Sequence, residues 1–391
     1  MVIRRAALQM GSVALEPRLM VALELSDKKW LVGASDWGHR VSRYAVDAGD
    51  GAGLLGCIER ARLRFGVGQE TVVQCCYEAG RDGFWLHRFL LANGIENHVV
   101  DAASIEVNRR KRRVKTDAVD LEQLLSMLKR YCAGERGLWS VLRVPSEQQE
   151  DERRGHRERE RLIKERGAHQ VRIKSLLITH NIRLERVGGK NWVERVGELG
   201  LGPRLQAELE REGERLGLVC KQVLELEKQQ RERLKQAAKE QAEAVKQQAG
   251  EDAQSLAKQQ RLAKLVGIGL IGSWTLSSEM FGWRRFNNRR ELAGCAGLGS
   301  SPYNSGDCQH DQGISKAGNR RIRSLMVELA WGWLRHQPDS ALALWYRERF
   351  ASAGGRMRRI GIVALARRLL IAFWHFVEHG VVPEGARLKT S

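Results

Sequence analysis

The sequence predicts an α/β N-terminal domain, a helical middle and a mainly α-helical C-terminal region, and three observations carry that prediction. Short β-branched and apolar runs alternate with helix-like segments over the first third of the chain. Residues 150–166 are mostly charged, of both signs, and contain no proline. From about residue 262 to the end, apolar helical stretches dominate. At 391 residues the chain is too long for one ordinary core, and divisions are expected at 1–145, 146–255 and 256–391.

Residues 19–36, LMVALELSDKKWLVGASD, hold two apolar runs around a polar break at Ser26 to Lys29, the pattern of a β-hairpin. Residues 71–77, TVVQCCY, form a further strand ending beside Glu78, and a glycine-punctuated turn leads into a helix over 85–92. A short strand at 98–100 precedes a basic loop and a helix over 117–128. The middle should contain two long helices, near 149–183 and 203–247, around the glycine-rich residues 187–203. In the second, Leu216, Val219, Val223 and Leu226 follow three-four-three spacing, but Gln230 and Arg233 fill the next places. That pattern fits either a solvated helical hairpin or a dimerising coiled coil. The third region opens with LVGIGLIGSWTLSSEM, where Gly267 and Gly269 permit a tight turn before an apolar helix. A helix-hairpin-helix of this kind can present backbone amides to a DNA phosphate.

Lys and Arg outnumber Asp and Glu by 66 to 47, a formal +19, which favours a polyanionic partner, nucleic acid first. A membrane partner is not expected. Arg367, Arg368 and Glu378 interrupt the most apolar region, residues 360–382, so it reads as a packed helix. No secretory signal pattern occurs at the start. The seven cysteines are scattered with no C-x-x-C pair, which suits free thiols in a cytoplasm.

Four carboxylates fall where strand and helix ends could gather them: Glu24, Glu78, Asp117 and Asp120. The last two stand three apart, on one helical face, and such oxygen ligands suit Mg2+. Just before them runs Arg109, Arg110, Lys111, Arg112 and Arg113, then Lys115, a cationic stretch that would draw a phosphate backbone. In the third region Ser305 sits beside Gly306 in an expected loop, with Lys316, Arg320, Arg321 and Arg323 downstream to neutralise a phosphate under attack. Composition alone does not select Ser305 over Ser300 or Ser301.

The segments VALELS, YEAG and KTDAVDLEQL, with GIGLIGSWTL, RRFNNRRELAGCAGL, NSG and GISKAGNRRIR, resemble the DEDD transposases of bacterial insertion sequences, also described as bridge-RNA-guided recombinases. The resemblance spans nearly the whole chain, and its C-terminal block is the most specific part. It implies an RNase H-like fold of the Holliday-junction-resolvase kind, a coiled-coil middle and a C-terminal transposase domain. It further implies homo-oligomers, dimers or tetramers, acting near the nucleoid on donor and target DNA with a structured guide RNA. By matched position, Glu78, Asp117 and Asp120 are metal ligands and Ser305 is the nucleophile that forms a phosphoserine link. The family's first aspartate falls on Glu24, whose extra methylene displaces its carboxylate; Asp27, three residues on, is the alternative ligand. Two other readings stay open: a structure-selective nuclease in which water attacks, and a nucleic-acid binder whose chemistry is impaired.

Overall fold

In the computed structural model, which describes residues 17–105, 117–243, 251–305 and 308–389, the first apolar run forms β1 (Arg18–Glu24) and the next β2 (Lys29–Ser35). They are followed by β3 (Ser42–Asp47), α1 (Gly51–Phe65), β4 (Val72–Glu78), α2 (Trp85–Ala92), β5 (Glu96–Val100) and α3 (Asp117–Cys132). The strands make one open sheet in the order β3-β2-β1-β4-β5. β1, β2 and β3 are antiparallel, while β4 and β5 run parallel to β1. That arrangement is RNase H-like.

Strand alternation divides the core between the two faces. Leu19, Val21, Leu23, Cys75 and Tyr77 pack with Leu54 and Ile58 of α1 and with Leu86 and Leu90 of α2. Met20, Ala22 and Cys76 pack with Leu121, Leu124, Leu125 and Leu128 of α3. Because both faces are covered, β1 reads as a continuous apolar run and β4 as one broken only by Gln74.

The chain divides into two compact units, Met1–Val144 and Pro145–Ser391. The second begins with α4 (Glu147–Asp151), α5 (Arg154–Ile178), α6 (Trp192–Gly197) and α7 (Pro203–Glu243). Ion pairs give the direction of α5 against α7: Glu152 meets Arg233, Arg159 meets Glu227, and Arg172 meets Glu212. Rising numbers on one side match falling numbers on the other, so the helices are antiparallel. Leu216, Val219, Val223 and Leu226 spend their apolar seam inside this hairpin, near Leu162, Ile163, Ile173 and Leu177. The seam residues thus pack within the chain's own helical hairpin.

Gly213 of α7 gives way to the Trp192 ring of α6, whose Nε1 donates to Leu209 O at 2.7 Å. A Cβ at 213 would stand 1.9 Å from Trp192 Cδ1. Overpacking costs about 1–3 kcal/mol, whereas alanine gains only about 1 kcal/mol over glycine in a helix. Gly213→Ala should therefore lower the urea midpoint of the full chain, and an unchanged or raised midpoint would contradict this packing.

The remainder comprises α8 (Glu251–Ala263), α9 (Leu270–Leu276) running into a π-helical turn (Ser277–Phe281), α10 (Arg289–Cys295), β6 (Ser300–Ser305), β7 (Cys308–Ile314), α11 (Arg320–His336), α12 (Ala341–Phe350) and α13 (Gly355–His379). α13 is long and apolar enough to cross a membrane, yet 56% of its apolar window is buried. Leu365, Leu369, Leu370 and Phe373 have no exposed surface and form the centre of the unit's core with Met326, Ala330 and Trp333 of α11. The expected serine-rich loop is instead an antiparallel hairpin of β6 and β7. Its strands carry Ser, Pro, Asn, Gln and Gly in place of β-branched residues, so composition hid it.

Candidate catalytic carboxylates and the serine hairpin

Glu24 and Glu78 are the last residues of β1 and β4, one step beyond the paired Leu23 and Tyr77. They are neighbours at the carboxyl edge of the sheet. Each continues the alternation of Ala22 and Cys76, which places both on the face that α3 covers. The direction of α3 follows from two contacts. Leu121 lies against Gly33, the partner of Ala22, at a spacing of 3.0 Å from where a glycine Cβ would be. Lys129, two turns later, donates to Ser35 Oγ at 2.7 Å, and Ser35 pairs with Met20. α3 therefore runs opposite to β1, and its first turn, with Asp117 and Asp120, points to the edge that holds Glu24 and Glu78. Acids in a first helical turn are also favoured by the amide dipoles.

The four are not equally exposed: Glu78 and Asp117 are open to solvent, whereas Glu24 and Asp120 are half-buried. Their oxygens are the hard donors that magnesium prefers. Among the described residues, however, no three His, Cys, Asp or Glu side chains close around one point as a metal cage would. The carboxylates share an edge and a face without forming a finished site. Asp27, the alternative to Glu24, is ion-paired with Arg81, and that hydrogen bond and charge hold its carboxyl below the usual range. The basic run Arg109, Arg110, Lys111, Arg112, Arg113 and Lys115 lies outside the described residues.

In the second unit Ser305 ends β6, paired with Cys308 at the start of β7. The ribbon's base is tied by backbone hydrogen bonds from Ser315 N to Gly299 O at 2.8 Å and from Asn319 N to Cys295 O at 2.7 Å. Two glycines with positive φ, Gly297 at 66° and Gly318 at 108°, make that crossing possible. A Cβ on Gly318 would stand 2.4 Å from Cys295 O, so the AGL and KAGN segments need their glycines for close approach as well as for backbone angle.

Asn319 caps α11, its Oδ1 accepting from Arg321 N and Ile322 N at 3.0 and 3.3 Å. Its Nδ2 donates to Glu279 Oε2 at 3.1 Å. Glu279 is a residue that sequence reading missed. Its side chain is 2% exposed, takes Arg157 Nε and Nη2 at 2.6 and 2.9 Å, and lies 3.1 Å from His156 Nε2. Burial pushes its pKa up, but the hydrogen bonding and charge of His156 and Arg157 overwhelm that effect and hold the carboxyl far below the usual range. The available signal was a single acid among the otherwise uncharged residues 270–283.

The four downstream cations divide by role. Arg321 pairs with Glu160, and Arg323 Nη1 donates to the carbonyls of Lys316 and Ala296 at 2.8 and 3.3 Å. Arg323 braces the ribbon base, whereas Arg321 ties the start of α11 to α5. Lys316 and Arg320 are exposed, with no acid partner among the described residues.

Residues 259–345, which include Glu279, the ribbon and Asn319, match the family model described as Transposase IS116/IS110/IS902 family. A Sinorhizobium fredii protein named "Putative transposase y4rJ" is 42% identical over 385 residues, 95% of each chain. The chain belongs to the IS110/IS116/IS902 transposase family. A second Sinorhizobium fredii relative, "Putative transposase y4qE", is 26% identical and covers 84% of this chain and 80% of its own length. The transposase for insertion sequence element IS1328 of Yersinia enterocolitica is 24% identical over 58% of this chain and 63% of its own. This transposase is therefore an enzyme that acts on DNA, built on an RNase H-like N-terminal unit.

Proposed function

We propose that this transposase cuts and rejoins DNA through Ser305, assisted by Mg2+ held by Glu24, Glu78, Asp117 and Asp120. The observation that carries the reading is the convergence of β1, β4 and the first turn of α3, which brings all four carboxylates to one edge. When bound, magnesium would polarise the phosphate and stabilise charge on the departing oxygen. The Ser305 hydroxyl attacks phosphorus, a bond from Oγ to phosphorus forms, and the bond to the leaving sugar oxygen breaks. That oxygen takes up the proton lost by the serine. One phosphodiester replaces another, so rejoining needs no ATP. The exposed Lys316 and Arg320 would meet phosphate charge, and residues 109–115 would add cationic attraction in the N-terminal unit.

Within this reading residues 1–145 bear the metal ligands, 146–255 join subunits of a homo-oligomer and 256–391 carry the nucleophile. A structured guide RNA selects donor and target DNA, and the work is done at the nucleoid in the cytoplasm. The full chain, supplied with its element's RNA and paired DNA sites, should give recombined product with magnesium and none after chelation. Magnesium-independent joining would overturn the metal assignment. Cleavage that never yields a joined product would favour the water-attack nuclease, and bound complexes without any cut would favour the impaired binder.

A further inference from the structure

Residues 341–379 hold seven arginines and no lysine or aspartate, against two glutamates, Glu348 and Glu378. Glu378 is already engaged by Lys258 at 2.6 Å. Six of the arginines, Arg347, Arg349, Arg356, Arg358, Arg359 and Arg368, are exposed at the elbow where α12 turns into α13. The two helices are joined there by Tyr346 Oη donating to Arg358 O and by the Phe350 ring filling the space over Gly361. Arg368 lies 4.1 Å and Arg349 5.6 Å from the centre of the Trp345 ring, so one indole gathers guanidinium groups from both helices.

The contrast with the rest of the unit is informative. Along α5 and α7 several arginines are paired with glutamates, as in Arg159 with Glu227 and Arg172 and Arg215 with Glu212. At the elbow no acidic side chain among the described residues pairs with any of the six. Three of them, Arg356, Arg358 and Arg359, also crowd the first turns of α13, where the aligned amide dipoles are positive and no acidic residue balances them. Like charges so placed oppose folding, and an external polyanion removes that opposition. From Arg356 to Arg368 the helix advances about 18 Å at ~1.5 Å per residue, long enough to follow several successive phosphates. Planar guanidinium forks match phosphate oxygens in pairs, which a compact ammonium does not.

We propose that the α12–α13 elbow is a second nucleic-acid contact of this transposase, gripping the phosphodiester backbone of a duplex. It is separate from the serine ribbon, and the proposal does not depend on Ser305 being the nucleophile. Because it concerns binding, its test does not use the joining reaction. The full chain and the variant Arg356→Gln, Arg358→Gln, Arg359→Gln are titrated with a 30-base-pair DNA duplex and with an RNA hairpin over a range of salt. The triple variant should bind roughly tenfold or more weakly near 0.1 M salt, and its log-log salt slope should flatten by about two to three, at ~0.9 for each phosphate that is no longer neutralised. A weakening on DNA alone or RNA alone identifies which backbone is held. The variant's thermal midpoint should stay level or rise, because cations leave the positive end of a helix; this separates impaired binding from impaired folding. A control triple at the exposed Arg183, Arg186 and Arg204 changes net charge equally and should bind nearly as wild type. The proposal is overturned if the elbow variant binds both nucleic acids unchanged, if the control weakens as much, or if only binding to phosphatidylserine vesicles falls.

Discussion

Ser305→Ala is expected to abolish the covalent protein–DNA adduct and to reduce joined product by at least about a thousandfold, while DNA and RNA binding stay close to wild type. Removing an attacking hydroxyl takes away the group that becomes bonded to phosphorus, and loss of a nucleophile ranks among the largest single-residue effects in enzymes. The backbone should tolerate the change: Ser305 is the terminal residue of β6, and the ties that hold the ribbon lie at its other end, at Gly299 and Ser315. A denaturing gel resolves protein-linked DNA from free strands. Ser300→Ala and Ser301→Ala serve as comparisons, since both hydroxyls belong to the same strand. Retained adduct in the Ser305 variant, or its disappearance in either comparison alone, would assign the chemistry elsewhere. Retained cleavage with no adduct in any variant would mean that water is the attacking group.

Glu279→Ala is expected to cost about 1–3 kcal/mol of stability in the second unit, because the buried His156 and the Asn319 amide lose their acceptor, while the partly exposed Arg157 can turn to water. Glu279→Gln should cost less, since an amide still offers an acceptor to Asn319 and Arg157. The sign of the pH dependence is fixed by the lowered folded pKa. The carboxylate's contribution is complete above the ordinary carboxyl value of 4.5 and is lost as pH falls through the folded value. Urea unfolding at pH 7 should therefore separate wild type from Glu279→Gln clearly, and the gap should narrow as the solution is acidified below about pH 4.5. A gap that stays constant or widens with acid would show that charge at 279 is not what secures the cap of α11.

What the sequence disclosed and what it withheld have separate physical causes. β1, β2, β4, α2 and both long helices announced themselves through mostly apolar runs or long charged stretches. β3 did not: it is an edge strand that buries only Ser42 and Val46, too little alternation to register. α1 was hidden by Gly51, Gly53 and Gly56, and its ends are set by the Asp50 side chain accepting from Gly53 N and by Gly66 in the left-handed region. The candidate carboxylates were legible because strand ends and a helix start are local features. Asn319 belongs to a recognisable motif, but its hydrogen bond to Glu279 spans forty residues, and no local pattern predicts which buried acid a cap will meet. The elbow arginines were passed over for a related reason, since their exposure depends on which side of α13 is taken by the core.

The way β6 and β7 leave the core has a further consequence. Both strands depart from one knot of glycines and main-chain bonds, so lengthening or shortening the two by equal amounts would leave α10 and α11 undisturbed. Each added residue pair would carry the outermost serine about 3.4 Å farther from its anchorage. Kindred enzymes could adjust their span to a differently shaped substrate by trimming or extending this single arm, a variation that costs the rest of the molecule nothing.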